Sequence, residues 1–171
     1  DFHYPWRSRL LESVNASNPV VVGDLVLISE CYGPGAALLK VRPGGYDVVW
    51  DDAKKGIRQK SLQTHWMTAI HHNGYVYGSS GRHKQNAELR CIELKTGKDL
   101  WKQERISSPS WSSFVEAAGR LYVTTMGGET FVLKADPKLE VLARNPLSER
   151  VLASVAISDG EIFIRGHKNL W

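Results

Sequence analysis

Cys91-Ile-Glu-Leu-Lys-Thr-Gly-Lys-Asp-Leu-Trp101 is the stretch that decides the fold. A short apolar strand runs into Lys95-Thr96-Gly97-Lys98, which reads as a turn, and a second short strand closes on Trp101. Read outward from here, the chain becomes copies of one unit. A glycine before a short strand recurs as Gly23 in VGDLVLIS, Gly74 in NGYVYGSS, Gly119 in AGRLYVTT and Gly160 in DGEIFIRG. Two positions on stand Leu25, Val76, Leu121 and Ile162; three on stand Val26, Tyr77, Tyr122 and Phe163. Such apolar, β-branched and aromatic runs, bounded by Gly, Asn and Asp, predict strands joined by tight turns. Upstream of each glycine lies another short run (NPVVV, TAIHH, SFVEA, SVAIS), which predicts a hairpin with the glycine in its turn. Downstream come AALLKV with YDVVW, ELRCIEL with KDLW, and ETFVLKA with LEVLA.

One unit is therefore four short antiparallel strands recurring every ~40–50 residues, the pattern of β-propeller blades. The predicted fold is all-β. The boundaries read as the last strand of a preceding blade over 1–12, blades over 13–52, 64–104 and 109–146, and a partial blade over 151–171. Trp6 precedes Gly23 by about the distance at which Trp101 precedes Gly119, and Trp50 fills the same slot at longer range. In the third blade the slot falls near Ala143 or Arg144, without a tryptophan. A blade cannot bury both its faces alone, so each stacks on its neighbours. About three blades leave open faces, which predicts an arc belonging to a longer chain or pairing with a second copy.

The Cys91–Trp101 spacing resembles the tryptophan-docking motif of pyrroloquinoline-quinone (PQQ)-type propellers, approximately Ala-x-Asp-x-x-Thr-Gly-x-x-x-Trp. Cys91 stands for Ala and Glu93 for Asp, while Thr96, Gly97 and Trp101 match. LLKVRPGGYDVVW is a degraded copy, and the third unit lacks both Thr-Gly and Trp. YPWRSRLLESVNASNPVVVGDLVLISECYGPGAALLKV looks like the C-terminal half of PQQ-binding-like repeat proteins of planctomycete-type bacteria, which places IRGHKNLW near a native C-terminus. The wider superfamily includes the BamB assembly lipoprotein and quinoprotein alcohol dehydrogenases. The resemblance implies seven or eight blades, a periplasmic or secreted location, and blade-docking roles for Trp6, Trp50, Cys91, Glu93, Thr96, Gly97 and Trp101. Two rival propeller signatures occur once each: the WD dipeptide Trp50-Asp51 and the kelch-like glycine pair Gly127-Gly128.

Composition narrows the function. The 171 residues carry a formal charge of +4, with Lys and Arg scattered and no basic run alternating with aromatics, so nucleic acid is not an expected partner. No apolar run is long enough to span a bilayer. The opening DFHYPWRSR has no signal-peptide pattern, and the chain reads as a piece of something longer. Cys31 and Cys91 lack metal-ligand spacing; buried thiols and a single disulfide are the alternatives.

The repeat register also selects candidate ligand-binding residues. The first strand of a blade runs beside the central channel. Eight residues before the glycines stand Asn15, Trp66, Trp111 and Leu152; six before stand Ser17, Thr68, Ser113 and Ser154. With His65, these would present aromatic, amide and hydroxyl groups to one channel mouth, suiting a ligand with a flat apolar face and a polar rim. The same hydroxyls could instead satisfy backbone groups. His71 and His72 are adjacent on a strand and point to opposite faces, so they do not share a metal. No hydrolase, zincin or P-loop motif occurs. Quinoprotein dehydrogenases hold PQQ with adjacent cysteines, a stacking tryptophan and acidic and amide ligands to Ca²⁺, and this sequence has no Cys-Cys pair. The expectation is a binding scaffold for a protein, small molecule or glycan, without catalysis, cofactor or metal of its own. The alternatives are part of a PQQ- and Ca²⁺-dependent alcohol or sugar dehydrogenase and, more weakly, carbohydrate binding.

Overall fold

The computed structural model describes residues 1–10, 16–83, 87–103 and 112–171. Asn15 and Trp111 lie outside the described residues. Blade 1 is β1 (Val20–Val22), β2 (Leu25–Glu30), β3 (Gly35–Arg42) and β4 (Gly45–Asp51). Blade 2 is β5 (Ile70–His72), β6 (Tyr75–Ser80), β7 (Glu88–Glu93) and β8 (Asp99–Gln103). Blade 3 is β9 (Ser113–Ala117), β10 (Arg120–Thr124), β11 (Glu129–Lys134) and β12 (Val141–Pro146). A fourth unit has β13 (Ala156–Ser158) and β14 (Glu161–Phe163). Every ladder is antiparallel and joins strands adjacent in sequence. Ile164 and Trp171 exchange two backbone hydrogen bonds of 3.0 Å, so HKNLW returns beside β14 as the start of a third strand. Residues 1–10 join no sheet. They are tied to blade 1 by side chains instead: Tyr46 Oη donates to the His3 carbonyl at 3.3 Å, and Ser8 N donates to Glu30 Oε2 at 2.9 Å.

Three turns explain the hairpin register, and a fourth corrects it. Asn73-Gly74, Ala118-Gly119 and Asp159-Gly160 all have positive φ at both positions, the turn that matches strand twist. In blade 1 the turn is Gly23-Asp24, because Val22 pairs with Leu25. Asp24, not Gly23, is therefore the counterpart of Gly74 and Gly119. The backbone agrees: Val41 N donates to Asp24 O, Leu94 N to Gly74 O and Ala135 N to Gly119 O. A slip of one residue exchanges the two faces of a strand. Leu27, rather than Val26, thus shares the position of Tyr77 and Tyr122.

Packing follows this register. Leu27, Ala36 and Leu38 of blade 1 meet Val76, Ile92 and Leu94 of blade 2 in one buried cluster. Tyr77, Leu89 and Cys91 of blade 2 meet Leu121, Val123 and Leu133 of blade 3 in a second. A smaller cluster of Val151, Val155 and Ile164 joins blade 3 to the fourth unit. Each blade thus presents one apolar face to each neighbour, which is why a continuous core forms only on stacking.

The outermost ladder carries the same irregularity in every blade. Register shifts fall between Leu38 and Leu39, between Cys91 and Ile92, and between Val132 and Leu133. A bulge re-aims the side chain beside it. In blades 1 and 2 that residue is the clasp tryptophan: Trp50 opposite Leu38, Trp101 opposite Cys91. Trp50 Nε1 donates to Leu94 O of blade 2 at 2.8 Å, and Trp101 Nε1 donates to Asp136 O of blade 3 at 3.3 Å. Trp50 lies so close over Gly97 that a Cβ there would stand 2.9 Å from its ring. Thr96 Oγ1 donates to Glu93 Oε2 at 2.6 Å and holds this turn in shape. In blade 3 the slot is Ala143, opposite Val132. Trp6 behaves differently: its Nε1 donates to Gly35 O at 3.0 Å, at the opposite end of the third strand from the turn.

Candidate functional site

The innermost strands β1, β5 and β9 pack side by side, and the segments leading into them converge on one mouth. A cavity of about 620 Å³ opens there. Its lining includes Ala16, Asn18, Trp66, Thr68, Ser113, Leu152 and Ser154. With the blade 1 register moved by one, Ala16 takes the column of Trp66 and Leu152. Asn18, in place of Ser17, takes the column of Thr68, Ser113 and Ser154. Four units thus contribute equivalent positions to one cavity. Asn18 N donates to Thr68 Oγ1 at 3.1 Å, linking two of them directly. The buried Ser113 Oγ has no hydrogen-bond partner among the described residues.

His65 and Trp66 part company in burial although adjacent. His65 is 7% exposed, whereas Trp66 is 51% exposed and lines the cavity. Their rings stack with centroids 4.6 Å apart and planes 27° apart. His65 Nε2 shares a 3.0 Å hydrogen bond with Tyr32 Oη, and the Arg82 guanidinium sits 5.0 Å above the Tyr32 ring. Burial lowers the His65 pKa, and nearby Arg82 and His83 lower it further. His65 is therefore held neutral at pH 7 as a back-plate for Trp66. Sequence reasoning placed His65 at the mouth as a ligand contact; its burial makes it a support.

Two features escaped the sequence. Asp52 is fully buried and accepts from Ala36 N at 2.8 Å, Ser61 N at 2.8 Å, Ser61 Oγ at 3.0 Å and Lys55 Nζ at 2.9 Å. It pins the blade 1–blade 2 connection, and no spacing rule marks it. A second cavity, of about 940 Å³, lies beside the loops carrying Tyr32 and Arg82 and is lined by Arg58, Arg90 and Lys102. Arg90 there is buried and paired with Glu88 at 2.6 Å, and Lys102 is paired with Asp99 at 2.7 Å. Cys31 and Cys91 are both free and buried; burial pushes their thiols up to about 11 and about 12. Burial thus disfavours the thiolate form that nucleophilic chemistry requires.

The described residues therefore define an arc of a β-propeller. A family model described as outer membrane protein assembly factor BamB matches residues 85–170, about half of the chain. The chain belongs to this BamB-like, PQQ-like family of β-propeller repeat proteins. Among solved structures, BamB from Moraxella catarrhalis is similar at 12% identity with a TM-score of 0.65, over 90% of this chain and 41% of that one. The computationally designed Ika4 protein is similar at 10% identity with a TM-score of 0.63, over 96% of this chain and 94% of that one. A europium-containing methanol dehydrogenase is similar at 14% identity with a TM-score of 0.50, over 78% of this chain and 27% of that one. At these identities the likeness concerns the fold. The chain spans less than half of the BamB structure it matches. No curated protein matches the sequence.

PQQ and Ca²⁺, which the family allows, can be tested against the donor set. PQQ is a tricarboxylate, yet none of the described residues lining the mouth cavity carries a formal charge. Among the described residues no group of three or more His, Cys, Asp or Glu could hold a metal ion. The described mouth residues do not fit a calcium-bound anionic quinone. Among the described residues, no helix is long and apolar enough to cross a membrane.

Proposed function

We propose that this chain is part of an exported propeller scaffold, periplasmic or secreted, that binds a ligand or protein segment at its channel mouth and performs no catalysis of its own. The observation that carries the reading is the mouth cavity: equivalent positions from four units converge on it, with hydrogen-bonding groups and an aromatic plate but no acid–base pair. General acid–base work needs a titratable group within hydrogen-bond reach of the reacting atom, and the described residues of the cavity lining offer none. Family membership and the likeness to BamB support a role in interaction, and periplasmic location is inherited from the same comparison. The open faces beside Phe163 and Trp171, both exposed apolar rings, are proposed to meet further blades of a longer chain or a second copy. A concentration-independent monomer in sedimentation velocity, with no binding of a hydrophobic dye, would contradict that association.

The competing reading is a fragment of a PQQ-dependent alcohol or sugar dehydrogenase. Titrating the full-length protein with PQQ and Ca²⁺, while following reduction of an artificial electron acceptor, separates the two. The scaffold reading expects no turnover above the free-quinone background. Saturable quinone-dependent oxidation of an alcohol or sugar would overturn it.

A further inference from the structure

The chemistry of the mouth cavity goes beyond "a ligand", and the argument rests on the channel-mouth reading above. We infer that the cavity is a binding site for a neutral saccharide. Among the described lining residues, a carboxylate or phosphate would lose hydration and meet no cation, and an amine would meet no carboxylate, because each of those side chains is uncharged. The described lining therefore favours a neutral ligand. It also favours one rich in hydrogen-bonding groups. Asn18, Thr68, Ser113 and Ser154 each stand on a different blade unit, so polar contacts surround the cavity rather than run along one wall.

Hydroxyl side chains both donate and accept, as sugar hydroxyls do. Thr68 Oγ1 already accepts the Asn18 N–H, which leaves its own proton to donate into the cavity. The buried Ser113 hydroxyl lacks a partner among the described residues, and an unmade buried hydrogen bond is costly. That hydroxyl is sealed from solvent, so Ser154, exposed at the same mouth, offers the accessible serine hydroxyl. Trp66 supplies the complementary apolar plate. The stacked His65 behind it, itself bonded to Tyr32, fixes the plane of the indole before any ligand arrives. Pre-organised aromatic surface of this kind suits the C–H face of a pyranose ring.

The test uses the full-length protein and named probes: chitotriose, cellotriose and maltotriose as neutral ligands, and PQQ without added Ca²⁺ as an anionic one. Binding is read by calorimetry and tryptophan fluorescence. At least one neutral trisaccharide should bind saturably. Trp66→Ala should weaken it roughly tenfold, and Thr68→Val should weaken it several-fold. Far-UV circular dichroism of each variant checks folding, and Ser154→Ala replaces either variant that fails to fold. The inference is overturned if no neutral trisaccharide binds, if binding survives these substitutions unchanged, or if PQQ displaces the sugar or binds more tightly. Quinone-dependent turnover would sink the scaffold reading itself. Missing sugar binding without turnover would sink only the saccharide assignment.

Discussion

The clasp between Trp50 and Gly97 can be tested as a coupled pair. Trp50 is half-buried and bonds through Nε1 to Leu94 O at 2.8 Å. A fully buried tryptophan costs about 3–5 kcal/mol when cut to alanine; partial exposure brings the expected loss for Trp50→Ala to about 2–3 kcal/mol. Gly97 has φ +66, and a Cβ there would stand 2.9 Å from the Trp50 ring. Gly97→Ala therefore carries two penalties. The left-handed backbone costs about 1 kcal/mol. The steric overlap costs about 1–3 kcal/mol more. In the Trp50→Ala background the ring is gone, so Gly97→Ala should retain only the backbone penalty. The double variant should thus be more stable than the sum of the singles predicts, by about 1–3 kcal/mol. Urea denaturation followed by far-UV circular dichroism at constant m-value measures this without relying on fluorescence, which Trp50→Ala would itself alter. Additivity within about 0.5 kcal/mol would refute the idea that the glycine is required by the indole above it.

Two further perturbations probe other parts of the framework. Asp52→Ala strands two backbone N–H groups and leaves Lys60 buried beside the gap; it should cost about 3–5 kcal/mol in thermal or urea unfolding. Asp52→Asn should cost less, since its carbonyl oxygen can still accept from Ala36 and Ser61. Glu149 accepts from Lys168 N, Asn169 N, Asn169 Nδ2 and Trp171 Nε1, and its pKa is lowered to about 2. A depressed carboxylate contributes stability that is present above its unfolded pKa and is lost as pH falls through the folded value. Hydrogen exchange at Lys168 and Asn169 should therefore accelerate as pH drops from about 4.5 towards 2, after correction for intrinsic rates. Glu149→Gln should flatten that dependence; an unchanged pH profile would contradict the assignment.

Much of this protein was legible in the order of its residues. Turn dipeptides such as Asn73-Gly74 and runs such as Tyr75–Ser80 act locally, through backbone preference and alternation, so strands, hairpins and the repeat could be read directly. The clasp was legible at Thr96, Gly97 and Trp101 because those residue types are needed together. It was much less legible at its acceptor, because Trp50 and Trp101 bond to backbone carbonyls, of Leu94 and Asp136, which any sequence provides. That is also why Trp101 docks although blade 3 has no Thr-Gly.

The candidate site was legible only in part. Repeat spacing found Trp66, Thr68, Ser113 and Ser154, but it took Gly23 as the anchor and so set the blade 1 column at Ser17 where the cavity lining has Asn18; Asn15 lies outside the described residues. Glycine is favoured at either position of a two-residue turn, and strand pairing alone decides which. Local preference and repetition determined the blades. Only the tertiary structure decided which face of each strand is inner, that His65 is buried behind Trp66, and that Asp52 is enclosed, because each depends on contacts between residues of different strands or connections.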